Sequence, residues 1–302
     1  MKEIKDEIIW FLVPTFIITY SLGIIAYLMG GMDNFPLMIV SMFVPALVVI
    51  FLYFLKYRKP VFKNNDLGLR FKGMKYLIIV PFLFFLLIGS SFFIPFLFSS
   101  SFFMTPELIL EVTEKTGFGV GHWFLNLLII FGINTLIAPV QNILLFLGEE
   151  IGWRAYLVPR LLKIFSPKIS FLIGGSIWGV WHAAGIFLGL NYPGRPLIGN
   201  IMMILMCIPL GVILQYLYFK SKSIFIPAIA HGVINWTAGN FIMFVLSDEG
   251  YNKLIYGPTG IIGIIIFYLV AYLLFDKIDW KKENTYVPTE GSTSANRVPL
   301  KI

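Results

Sequence analysis

Three short runs of this 302-residue chain carry side chains that can handle protons, set among residues that otherwise avoid charge. The first, Gly148-Glu149-Glu150-Ile151-Gly152-Trp153-Arg154, brings two adjacent carboxylates and a guanidinium. The second, Ser176-Ile177-Trp178-Gly179-Val180-Trp181-His182, ends on an imidazole, and the third, His231-Gly232-Val233-Ile234-Asn235, pairs another imidazole with an amide one helical turn away. A carboxylate in a partly dry site can serve as a general base toward water near neutral pH, and a neighbouring imidazole can pass the proton on to a leaving amine. His231 and Asn235 can aim two donors at one point, which is what a developing oxyanion requires. Water plus these groups amounts to amide hydrolysis without a covalent nucleophile. The alternative reading is that Glu149, His182 and His231 hold zinc as a carboxylate and two imidazoles. The chain contains no His-Glu-x-x-His run, so spacing lends zinc no direct support.

Helical geometry sorts the acidic pair. At about 100° per residue, Asn134, Gln141, Asn142 and Glu149 fall on one arc, so Glu149 is expected to continue a polar stripe that faces other helices. Glu150 points elsewhere and stands four residues before Arg154, the spacing at which a carboxylate and a guanidinium meet along a helix. Glu150 is therefore expected to pair with Arg154 and leave Glu149 free. Each residue also has a structural reading: an ion pair for Glu150 with Arg154, interhelical hydrogen bonding for His182, packing for His231 with Asn235. His122 falls at an outer boundary and reads as interfacial. Cys207, the single cysteine, lies in an apolar run, excludes an internal disulfide, and reads as a packed thiol.

The elements that must position these groups are membrane spans. Hydrophobic residues make up 58% of the chain and charged residues only 13%, against roughly 25% charged in a soluble domain. That much apolar surface is accommodated directly by lipid. Runs of about 20 apolar residues occur at 8–29, 36–55, 74–98, 123–147, 169–190, 197–219, 224–246 and 257–275, which predicts an all-α polytopic bundle of about eight transmembrane helices. The expected organisation is one integral membrane domain over 1–282, with the motifs inside 123–246. A polar tail over 283–302, rich in Pro, Ser, Thr and Gly, is expected to be disordered and cytoplasmic. The segment 99–121 carries Glu107, Glu111 and Glu114 at helical spacing and predicts a short amphipathic helix. The spacing of Gly185 and Gly189 predicts a close helix contact.

Of the 23 Lys and Arg, all but Lys115, Arg195 and Lys253 belong to the loops after even-numbered spans or to the termini. By the positive-inside rule both ends are expected on the cytoplasmic side of the cell membrane. No nucleic-acid motif competes for this charge, which reads as topology and attraction to anionic lipid. His231, about 10 Å along its span, His182, about 20 Å along its own, and Glu149 then share the inner half of the bilayer. One site opening inward is the expectation.

Glu149-Glu150-x-x-x-Arg154, Trp178-x-x-x-His182 and His231-x-x-x-Asn235, in that order on separate spans, resemble the CPBP family of intramembrane proteases. That family includes type II CAAX prenyl proteases and bacteriocin-processing or self-immunity proteins. The resemblance covers about 144–240. It implies an endopeptidase acting on a membrane-associated or lipid-modified peptide, with Glu149 as the water-activating base and His182 as its partner. His231 and Asn235 would stabilise the oxyanion, and Glu150, Arg154 and Trp178 would hold the site's shape. The family's second motif usually begins with Phe or Tyr, and Trp178 stands there instead; another large aromatic is expected to pack similarly. The family name often carries "metalloprotease", yet a glutamate-based mechanism without cofactor fits the residues and is preferred here over zinc. Two other classes remain open: a non-enzymatic immunity or scaffold protein, and a proton-coupled transporter using Glu149 and His182 as a relay. A transporter would be expected to show inverted repeats, and none is evident.

Overall fold

A computed structural model of the chain describes residues 2–57, 67–94, 106–116, 122–245 and 252–284. Every regular element in them is helical: α1 (Lys2–Leu28), α2 (Phe35–Ser41), α3 (Val44–Phe51), α4 (Tyr76–Phe93), α5 (Pro106–Thr116), α6 (Trp123–Gly132), α7 (Ala138–Gln141), α8 (Ile143–Glu150), α9 (Val158–Ile164), α10 (Pro167–Trp181), α11 (Ala183–Phe187), α12 (Pro196–Ser221), α13 (Phe225–Val245), α14 (Ile261–Phe275) and α15 (Trp280–Glu283). Six stretches are long and apolar enough to cross a bilayer: α1, 36–56, α4, 123–141, 167–187 and α12. The chain is a polytopic membrane helical bundle. The two remaining expected spans correspond to α13, with 21 residues, and α14, with 15. The acidic segment after the third span forms α5 as its spacing predicts, and Asn126 of α6 donates to the Thr113 hydroxyl at 2.8 Å to hold it.

Three expected spans differ from continuous helices, and each difference falls near the motifs. The fourth does not stop at 147. It kinks at Asn142 and then runs through α8, a π-helical stretch Ile151–Leu157 and α9. Glu149, Glu150 and Arg154 lower the hydropathy of this region enough to resemble a span's end. They are buried in protein and paired there, so the helix carries on. A second π-helical stretch, Ile133–Ile137, and the kink at Asn142 break the 100° register, and the expected polar stripe does not form. Asn134 and Asn142 donate instead to carbonyls of their own helix, Ile130 and Ala138, and Gln141 is exposed. The fifth span breaks at His182, between α10 and α11. The second breaks between Ser41 and Val44, and a side chain at Gly148 would strike the Met42 carbonyl there at 2.4 Å.

Packing is tightest where α10 crosses α12. Gly175 and Gly179 let this happen, since a Cβ on either would lie 2.5 Å from the backbone of Ile208 or Ile204. This pair, rather than Gly185 and Gly189, makes the small-residue contact. The helix ends at Phe187, and Gly189 turns the chain at φ +106°.

The basic loops gather at one end of the bundle. Arg160 of α9 donates to the Glu7 carboxylate at 2.7 Å, both residues being fully buried. Arg70 donates to the Lys222 carbonyl, Lys222 pairs with Glu283, and Lys281 donates to the Phe165 carbonyl. Asn284 donates to the Pro159 carbonyl, so the first residues of the expected tail are bound; 285–302 lie outside the described residues. Replacing Arg160 by Met removes the guanidinium that Glu7 faces in the interior, and breaking one side of a buried pair costs about 3–5 kcal/mol. A clear drop in melting temperature in detergent is expected, with part of it restored in the Glu7→Gln, Arg160→Met double variant. An unchanged melting temperature would show the pair to be idle.

Candidate active site

The three motifs meet in one cavity. Its volume is about 360 Å³, and its lining includes Glu149, Trp178, His182, His231 and Asn235. Glu150 and Arg154 stand behind that wall, fully buried.

Trp178 ties the wall together. Its indole N–H donates to Glu149 Oε2 at 2.9 Å, and its backbone carbonyl accepts from His182 Nδ1 at 2.8 Å. The Arg154 guanidinium lies over its ring, 4.1 Å from the centroid, an arrangement that favours a cation. His182 and His231 approach the same ring with centroids 5.6 and 5.5 Å away. The sequence led us to expect a packing aromatic for which Phe or Tyr would substitute. The ring also supplies a hydrogen bond to Glu149 that neither Phe nor Tyr could supply from the same position. Nothing in the spacing of the motif signals that bond, because it joins α10 to α8 across the fold.

The acidic pair divides as expected. Glu149 faces the cavity, and its Oε1 has no hydrogen-bond partner among the described residues. Glu150 Oε2 lies 3.0 Å from Arg154 Nε as an ionic contact, without the alignment of a hydrogen bond. Glu150 Oε1 accepts from His231 Nδ1 at 2.9 Å, a contact across the fold that the i, i+4 argument could not anticipate. Gln215 of α12 donates to the Arg154 carbonyl at 3.2 Å.

These bonds set the tautomers. His182 Nδ1 meets a carbonyl and His231 Nδ1 meets a carboxylate, so both carry their proton on Nδ1. The Nε2 atoms are left for other partners. His231 lies one turn from Asn235 on α13, and Asn235 is exposed to the cavity. His122, by contrast, is exposed just before α6, stacks on Trp123 and takes no part.

Some of the lining was not legible. Thr19 of α1 reaches the cavity and accepts from Trp181 Nε1 at 2.9 Å. Cys207 lines it too, with Sγ 4.0 Å from His182 Nδ1, rather than sitting in a plain packed layer. A partial signal existed, because Met203, Met206, Cys207 and Leu210 share one face of a helix by spacing, and all four line the cavity.

The fit to zinc can be tested on the same geometry. Among the described residues no three His, Cys, Asp or Glu side chains stand together so as to hold a metal ion. The Nδ1 bonds do not count against a metal, since they leave both Nε2 atoms available; the mutual spacing of the side chains does. As arranged, the residues do not form a metal cage.

Every residue from 150 to 162 is buried, Trp153, Tyr156 and Leu157 among them, and none of these thirteen lines the cavity. Beyond the polar residues the lining extends to Met38, Leu190, Asn191, Pro258 and Thr259.

No curated protein matches the chain at a significant level of similarity. Residues 122–237 match the family model described as Type II CAAX prenyl endopeptidase Rce1-like. The match spans Glu149, Glu150, Arg154, Trp178, His182, His231 and Asn235 and no more than a few residues beyond them on the C-terminal side. Over 122–237, which holds the three motifs that meet in the cavity, the chain is thus similar to the Rce1-like type II CAAX prenyl endopeptidases.

Proposed function

We propose that the protein is an intramembrane endopeptidase that hydrolyses a membrane-associated peptide with a water activated by Glu149. The single observation that supports this best is the division of the carboxylates. Glu150 is consumed by Arg154 and His231, while Glu149 keeps one oxygen toward a cavity that also presents two imidazoles.

In this reading Glu149 takes a proton from water, whose oxygen attacks the scissile carbonyl carbon. The carbonyl oxygen becomes an oxyanion and accepts from the Asn235 amide and from His231. His231 can donate from Nε2 only with both ring nitrogens protonated, and the Glu150 carboxylate on Nδ1 is the counter-charge for that form. The C–N bond then breaks, and the amine leaves with a proton delivered from Glu149 through His182 Nε2. A carboxylate and an amine result, and no cofactor enters the balance. Met203, Met206, Leu210 and Ile234 give the cavity adaptable apolar walls suited to a peptide with an apolar anchor, a prenyl group included.

The second reading, a non-enzymatic immunity or scaffold protein, would use the same cavity for binding only. The two part on a cleavage assay with a fluorogenic farnesylated CAAX peptide and purified protein in detergent. Glu149→Gln is expected to lose about 10²–10⁴-fold in kcat, the usual worth of a general base. A zinc chelator is expected to leave the wild-type rate unchanged. Full activity in Glu149→Gln would remove the peptidase mechanism, and inhibition by the chelator would restore zinc.

Trp178→Phe keeps an aromatic ring in place but removes the N–H to Glu149, together with part of the ring area that packs on Arg154 and the two imidazoles. Hydrogen bonds to charged groups are worth about 1.5–3 kcal/mol, so kcat should fall by roughly 10- to 100-fold with little change in KM. An unaltered kcat would show that Trp178 merely fills space.

A further inference from the structure

The π-helical stretch Ile151–Leu157 leaves one carbonyl to be satisfied from outside its own helix. The last bond of its wider pattern runs from the Val158 N–H to the Trp153 carbonyl. The next amide in that pattern, five residues after Arg154, belongs to Pro159, and proline has no N–H. Val158, four residues after Arg154, already donates to Trp153. The Arg154 carbonyl is thus left without an α-helical or a π-helical donor, in a residue buried to 1% exposure, where an unpaired carbonyl is costly. Gln215 of α12 supplies the donor, from Nε2 at 3.2 Å.

Gln215 is itself fully buried, and an amide in an otherwise apolar stretch of helix needs such a partner. Gly211 stands one turn before it on the same face, and a Cβ there would have Arg154 Nη1 as its neighbour at 3.9 Å. One face of α12 therefore meets both the guanidinium and the carbonyl of Arg154. That guanidinium lies over Trp178 and beside Glu150, and through those two it bears on Glu149, His182 and His231. We propose that Gln215 is a positioning residue of the active site. Its amide replaces the N–H that Pro159 lacks and fixes the backbone from which Arg154 reaches the groups around the cavity. The effect on catalysis rests on the peptidase reading, whereas the bond to Arg154 does not. Gln215 belongs to none of the three motifs and lies on the helix between the second and the third.

Gln215→Met keeps the length of the side chain and removes the donor, while Pro159→Ala gives position 159 an N–H. Together they make a rescue experiment in the full chain in detergent. With the farnesylated CAAX peptide, Gln215→Met is expected to lose about tenfold in kcat with KM little changed, the worth of one buried carbonyl left unpaired. Pro159→Ala alone is expected to cut at the wild-type rate. The double variant is expected to recover to within about twofold of wild type, since the two changes act on one carbonyl and are not additive. A second readout does not depend on cleavage. The chain has three histidines, His122, His182 and His231, so NMR of isotope-labelled histidine can follow the His231 Nδ1–H that Glu150 accepts. That signal is expected to shift in Gln215→Met and to return in the double variant. An unchanged kcat in an active enzyme, or an unmoved signal in Gln215→Met, overturns the proposal, as does a loss that Pro159→Ala fails to restore. If Gln215→Met does not fold, the double variant decides, because its folding supports the proposal and its failure to fold overturns it. If the wild type cuts no peptide while the His231 signal shifts and returns, the peptidase reading fails and the positioning role of Gln215 stands.

Discussion

An arginine buried to 1% exposure inside a membrane bundle has to be neutralised where it stands, and the site is built around that requirement. Arg154 is met by Glu150 from its own helix and by the face of Trp178 from α10. Those two partners then reach forward. Glu150 holds His231 by its Nδ1, and Trp178 holds Glu149 by one oxygen and His182 by its backbone carbonyl. Three of the four groups proposed to do chemistry are thus oriented by residues that themselves balance one buried charge. Removing a partner from such a cluster leaves an unmatched charge in a medium of low dielectric, so the cluster is held as a unit.

The helical irregularities follow from the same geometry. A regular helix through Glu149, Glu150 and Arg154 would place adjacent carboxylates about 100° apart with no further adjustment. The π-helical stretch Ile151–Leu157 lies between Glu150 and the buried Arg160–Glu7 pair. Arg154 lies within it, paired with Glu150, and Arg160 follows it, paired with Glu7 of α1. The break at His182 plays a comparable part, since the ring belongs to the last turn of α10 and bonds back to Trp178 four residues earlier. Close approach of α10 to α12 through Gly175 and Gly179 brings Cys207 and Met206 to the wall opposite Glu149.

The cavity joins residues that the sequence keeps on separate elements. Glu149 of α8, Trp178 and His182 at the end of α10, Cys207 of α12 and His231 and Asn235 of α13 line it together with Met38 of α2 and Thr259 before α14. Depth read along single helices concerns each polar group by itself and says nothing about the shape of the space between helices.

That difference marks how far the sequence reaches. It determined the all-α membrane fold, because apolar runs of bilayer length admit few other solutions, and it determined the Glu150–Arg154 pair, because both residues lie on one helix at a fixed spacing. The three motifs were also legible as a set, since ionisable residues are expensive in spans and stand out there. The continuation of the fourth span past 147 was not legible, because hydropathy counts a buried, paired charge as though it faced water. Nor was the failure of the polar stripe, because the π-helical stretch Ile133–Ile137 and the kink at Asn142 alter the register that a regular helix would keep. The Trp178–Glu149 and His231–Glu150 bonds and the shape of the cavity were decided by tertiary structure alone. Each depends on how α8, α10, α12 and α13 lean on one another, and residues 29 and 81 positions apart carry no mark in the sequence of which atoms will meet.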